Sequence, residues 1–60
     1  MFTSVIFDRD TQTYLWELHN GLYERVDHGS EPTEQLAQEA AEKAKESYLY
    51  WLRYYKYRTI

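Results

Sequence analysis

The clearest pattern along the chain is an alternation over residues 12–19, where Tyr14, Trp16 and Leu18 are interleaved with Thr13, Leu15 and Glu17. A period of two places the first set on one face of a strand and the second set on the other. Ahead of it, Thr3-Ser4-Val5-Ile6-Phe7 is rich in β-branched and aromatic types and closes on Asp8-Arg9-Asp10-Thr11, which has the polar chemistry of a turn. This predicts a first strand over 3–8 and a second over 12–19. Both alternations of the first strand are apolar, so the pattern leaves open whether Phe2 and Ile6 or Val5 and Phe7 point into the core. If both faces are covered, the second side of the sheet, with Leu15 and Tyr23, becomes a further contact surface.

Asn20-Gly21 is a strong hairpin signal, and a third strand is expected over 22–27. A two-residue turn would set Glu17 opposite Glu24, and like charges directly opposite are destabilising. A three-residue loop with Gly21 as a left-handed bulge instead pairs Leu18 with Leu22 and Tyr14 with Val26, and is the preferred register. It leaves Glu24 beside Trp16 on the apolar face.

Residues 28–32, His-Gly-Ser-Glu-Pro, read as the linker. Pro32 biases Glu31 toward an extended conformation, so a helix is expected over 33–57 with Thr33 or Ser30 as N-cap. Leu36, Ala37, Ala40, Ala41, Ala44, Tyr48, Trp51, Leu52 and Tyr55 recur at helical spacing and form the predicted core-facing stripe. Its alanines allow close approach to Tyr14 and Trp16. The fold class that follows is α+β: a three-stranded antiparallel meander, then one long C-terminal helix on one face, in a single domain spanning residues 1–60.

Such a helix would run on the order of 35 Å, whereas strands of six or seven residues reach about 20 Å. Its last turns should overhang the sheet. Tyr48, Leu49, Tyr50, Trp51, Leu52, Tyr54, Tyr55 and Tyr57 go around this end of the helix instead of keeping to one stripe. A helix that is apolar on several faces is expected to be covered on several faces, and Tyr, Trp and Arg are enriched in binding hot spots. Tyr50, Trp51, Tyr54, Tyr55 and Tyr57 are therefore the predicted anchors of a partner-binding surface, with Arg53, Lys56 and Arg58 as its polar rim. The bland reading is that tyrosine tolerates water and these rings simply lie along the surface.

Composition narrows the function classes. A chain of 60 residues supports one small core and little room for a cleft. It has no cysteine, so oligomerisation is the remaining staple for a marginal fold. No apolar run approaches the roughly 20 residues that span a bilayer, and the N-terminus lacks a basic stretch before its apolar residues, so a soluble, cytoplasmic protein is expected. All 10 acidic residues lie at or before Glu46, leaving the C-terminal end basic on an acidic body.

Catalytic readings are weaker. His19 and His28 near Glu24 and Asp27 lack metal-ligand spacing, and Glu17 and Glu24 have no cleft to perturb them. Cross-strand partners for Arg25 and Arg9 are the expected use of those acids. No catalytic residue, cofactor or metal is expected. A protein partner, either a second copy or a heterologous target, fits the aromatic end; nucleic acid is the alternative, since Arg53, Lys56 and Arg58 interleave charge with stacking rings. The acidic body opposes phosphate, and the alanine- and acid-rich first half of the helix argues against a membrane surface.

Residues 14–21 (Tyr-Leu-Trp-Glu-Leu-His-Asn-Gly), residues 29–33 (Gly-Ser-Glu-Pro-Thr) and the alanine-rich helix together resemble short uncharacterised proteins encoded by bacteriophages and prophages. The resemblance covers residues 12–52 and rests on common residue types. It implies a small accessory protein that binds and modulates a host protein, and it assigns no functional residue. The C-terminal tyrosine and arginine cluster departs from that pattern.

Overall fold

The computed structural model describes the backbone of residues 1–58 and the side chains of residues 1–53. Three strands, β1 (Phe2–Asp8), β2 (Thr13–His19) and β3 (Arg25–Glu31), form an antiparallel sheet in the order β1-β2-β3, and one helix, α1 (Glu34–Arg58), follows them. This is the α+β meander and helix that the periodicities imply. No helix among the described residues is long and apolar enough to cross a membrane.

β2 is the central strand and carries the core. Trp16 and Leu18 are buried, and Trp16 clusters with Ala37 and Ala41 of α1, which are buried as well. Val5, Tyr14, Ala40 and Ala44 are half-buried around them. Alanine at the contact lets the helix axis come close to the sheet, so one indole and one leucine fill the space between the layers. Leu18 has no exposed surface, and burial on that scale contributes roughly 1.5–3 kcal/mol per side chain.

β1 pairs with β2 in an unbroken register, Val5 opposite Trp16 and Phe7 opposite Tyr14. That register places Val5 in the core and Phe2 and Ile6 on the open face of the sheet. Phe7 shares the face of Tyr14, at 5.0 Å between ring centroids, but lies at the end of the strand and stays half-exposed. The turn that follows is tied by its first residue. Asp8 accepts the Asp10 N–H at 3.1 Å and the Thr11 hydroxyl at 3.1 Å, and Gln12 enters β2 with a left-handed φ of 54°.

The second connection departs from the sequence reading. Neither glycine has a positive φ; the left-handed residue is Tyr23, at φ 62°. Asn20 organises the loop instead. Its N–H donates to the Glu24 carbonyl at 3.0 Å, its carbonyl accepts the Tyr23 N–H at 3.2 Å, and its Oδ1 accepts the Leu22 and Glu24 N–H groups at 2.7 and 3.1 Å. With residues 20–24 spent on this loop, β3 starts three residues later than expected. Leu18 faces Asp27, Trp16 faces Gly29 and Tyr14 faces Glu31, in place of Leu22, Glu24 and Val26. Leu22 and Tyr23, expected in the strand, are 77% and 83% exposed. Val26 falls in the register shift between Leu18 and His19 as the extra residue of a bulge.

Residues 28–31, read as linker, are therefore strand. Gly29 is the reason they fit: a Cβ at that position would stand 2.7 Å from the Trp16 Nε1, so only glycine lets the indole lie against the β3 backbone. Thr33 then caps α1, its Oγ1 accepting the Leu36 N–H at 3.2 Å, with Glu34 in the first turn where the helix dipole favours an acid. Ser30, the other candidate cap, is inside β3. Leu36, expected in the core stripe, is 44% exposed.

Candidate functional site

At about 1.5 Å per residue the 25 residues of α1 extend roughly 37 Å, against about 23 Å for a seven-residue strand. The Cα trace accordingly measures 47 Å along its longest axis and only 20 and 13 Å across. The sheet covers the helix through Ala44, and among the described residues Tyr48 is the last half-buried side chain.

Beyond Tyr48 the chain presents four consecutive large residues to solvent: Leu49 at 41%, Tyr50 at 67%, Trp51 at 53% and Leu52 at 48% exposure. Successive helical residues differ by about 100°, so these four point to all sides of the axis. The Tyr50 and Trp51 rings meet edge-to-face at 6.5 Å. Glu46, Leu49, Tyr50 and Arg53 line a shallow groove on the side of the helix turned away from the core, which brings an acid and a base to the rim of an apolar strip.

Of the residues expected to bind a partner, Tyr50, Trp51 and Arg53 are exposed on this overhang. The backbone of Tyr54, Tyr55, Lys56, Tyr57 and Arg58 continues the helix, and their side chains lie outside the described residues. Leu49, Leu52 and Glu46 belong to the same surface. Leu49 and Leu52 lie in the unbroken large-residue run 48–52 that the sequence shows going around the helix, whereas Glu46, outside that run, has no such signal.

The open face of the sheet is a second, more polar surface. Phe2 stacks on the His19 imidazole at 4.9 Å and meets Tyr23 edge-on at 6.0 Å, leaving the His19 Nδ1 without a hydrogen-bond partner. Arg25 pairs with Glu17 at 3.0 Å, the cross-strand use expected for that arginine, although the pair is solvent-exposed and so contributes at most about 1 kcal/mol. His28 stands opposite Glu17 in the register. Among the described residues no group of three or more His, Asp or Glu could hold a metal ion.

No protein-family model matches the chain, and no curated protein or solved structure matches it either.

Proposed function

We propose that this protein is a small non-enzymatic binding module that acts by contact, holding a partner protein through the end of α1 that projects beyond the sheet. One observation carries the reading: Leu49, Tyr50, Trp51 and Leu52 are exposed around a helix that has left its own core. Soluble proteins rarely expose contiguous apolar surface without a partner for it, and rigid aromatic side chains gain much contact area for little lost entropy. The rest of the fold supplies rigidity, since α1 is anchored on Trp16 through alanine and projects as one continuous helix. The resemblance to phage-encoded proteins makes a host protein in the cytoplasm the kind of target to seek, and modulation of that target the role. Pairing of two such helices in a homodimer is the self-directed version of the same contact.

The test is parallel capture from a bacterial lysate on immobilised wild type and a Tyr50→Ala/Leu52→Ala variant. The expected result is a protein retained by the wild type and lost from the variant. Equal recovery on both sinks the reading. A salt series with single-stranded and duplex nucleic acid tests the alternative ligand, because a contact carried by Arg53, Lys56 and Arg58 to phosphate must weaken steeply with salt.

A further inference from the structure

The two edges of the sheet are built differently. The β3 edge carries three devices that discourage pairing with another strand: the bulge at Val26, the charges of Arg25, Asp27 and Glu31, and Pro32 directly after it. The β1 edge carries none of them along its first six residues. Phe2–Asp8 keeps an unbroken register with β2, contains neither glycine nor proline, and has no charge before Asp8. In an antiparallel pair each residue directs its N–H and C=O to one side, so alternate residues of an edge strand offer both groups outward. β1 presents that row with no bulge, glycine or proline to interrupt it.

Its side chains point to the same conclusion. Ile6 and Phe2 on the open face are 58% and 44% exposed, while Phe7 on the helix face is 51% exposed. A partner laid against one face of the sheet would shelter only one of these sets. A strand added alongside β1 shelters both, because its own side chains alternate between the two faces.

We infer that β1 pairs antiparallel with β1 of a second copy across a twofold axis at Val5, making a continuous six-stranded sheet. In this register Val5 meets Val5, Ser4 lies beside Ile6, Thr3 beside Phe7, and Phe2 beside Asp8. Large residues fall next to small ones, and no charge faces a charge. The twofold closes the assembly, and the only edges left outside are the two bulged, charged β3 strands. The cost is electrostatic: Glu34, Gln38 and Glu42 flank β1 on the helix side, and the twofold turns this row toward its equivalent in the second copy. A seven-residue edge falls at the small end of specific interfaces, so dissociation in the range of about 10 µM to 1 mM is expected, tightening as salt screens the acids. This contact uses none of the residues of the helix end, so either proposal can fail alone.

Sedimentation equilibrium from about 10 µM to 1 mM is the test, and the wild type should move from monomer to dimer across that range. Ser4→Lys/Ile6→Lys sets like charges directly opposite at two places and should weaken the dimer at least about tenfold, while Tyr50→Ala leaves it unchanged. Circular dichroism of the double variant at low concentration checks that the monomer stays folded. If it does not, amide exchange of the wild type decides the matter, since one alternate set of β1 amides must gain protection as concentration rises. A wild type that stays monomeric at about 1 mM, a dimer indifferent to the lysines, or β1 amides whose exchange is independent of concentration overturns the inference.

Discussion

The indole of Trp16 rests against the backbone of Gly29, its partner across β2 and β3, so closely that a Cβ on Gly29 would stand 2.7 Å from Nε1 and 2.8 Å from Cε2 and Cζ2. Toward the helix the ring packs against Ala37 and Ala41 of α1, which limits its retreat on that side. Gly29→Ala should therefore cost about 1–3 kcal/mol in urea unfolding, despite the better strand propensity of alanine. In a Trp16→Leu background the same substitution should cost at least about 0.5 kcal/mol less. An equal cost in both backgrounds would place the effect elsewhere than this contact.

Gln12 and Tyr23 hold left-handed backbones, φ 54° and 62°, that carry a penalty of about 1–2 kcal/mol for a residue with a Cβ. Glycine removes that penalty and returns part of the gain as extra entropy of the unfolded chain. Gln12→Gly should stabilise the fold by about 0.5–1 kcal/mol, seen as a higher Tm. Tyr23→Gly should gain less, because it also removes the ring that meets Phe2 at 6.0 Å.

The loop at residues 20–24 hangs on one side chain. Asn20 Oδ1 accepts two backbone N–H groups, and Asn20→Ala leaves both to water. The expected loss is about 1–2 kcal/mol, and Asn20→Asp, which keeps the acceptor, should recover most of it. Denaturant midpoints of the two variants provide the comparison.

Where α1 is anchored can be read from two substitutions. Ala41→Leu forces a larger side chain into the contact with Trp16 and should cost about 1–3 kcal/mol. Tyr50→Ala removes a ring that is 67% exposed and should change stability by less than about 0.5 kcal/mol. Thermal unfolding that ranks the two in the opposite order would mean that the helix end belongs to the core.

Local pattern was enough for much of this molecule. The alternation of Tyr14, Trp16 and Leu18 and the alanine stripe are found where periodicity puts them, and of the two cap candidates offered by the residues around Pro32 it is Thr33 that caps the helix. The overhang was legible too, because helix and strand lengths follow from residue counts and rise per residue. β3 was not. Arg25–Glu31 has no usable period and contains Gly29-Ser30, which locally reads as a break. It is a strand because β2 supplies its hydrogen bonds whatever its side chains are, and because Trp16 needs a neighbour without a Cβ. Gly21 likewise looked like the left-handed turn residue, and the Asn20 network moved that role to Tyr23. The orientation of β1 and the exposure of its edge were decided by where α1 lies, for a strand that is apolar on both faces names no inner side until a second layer covers one of them.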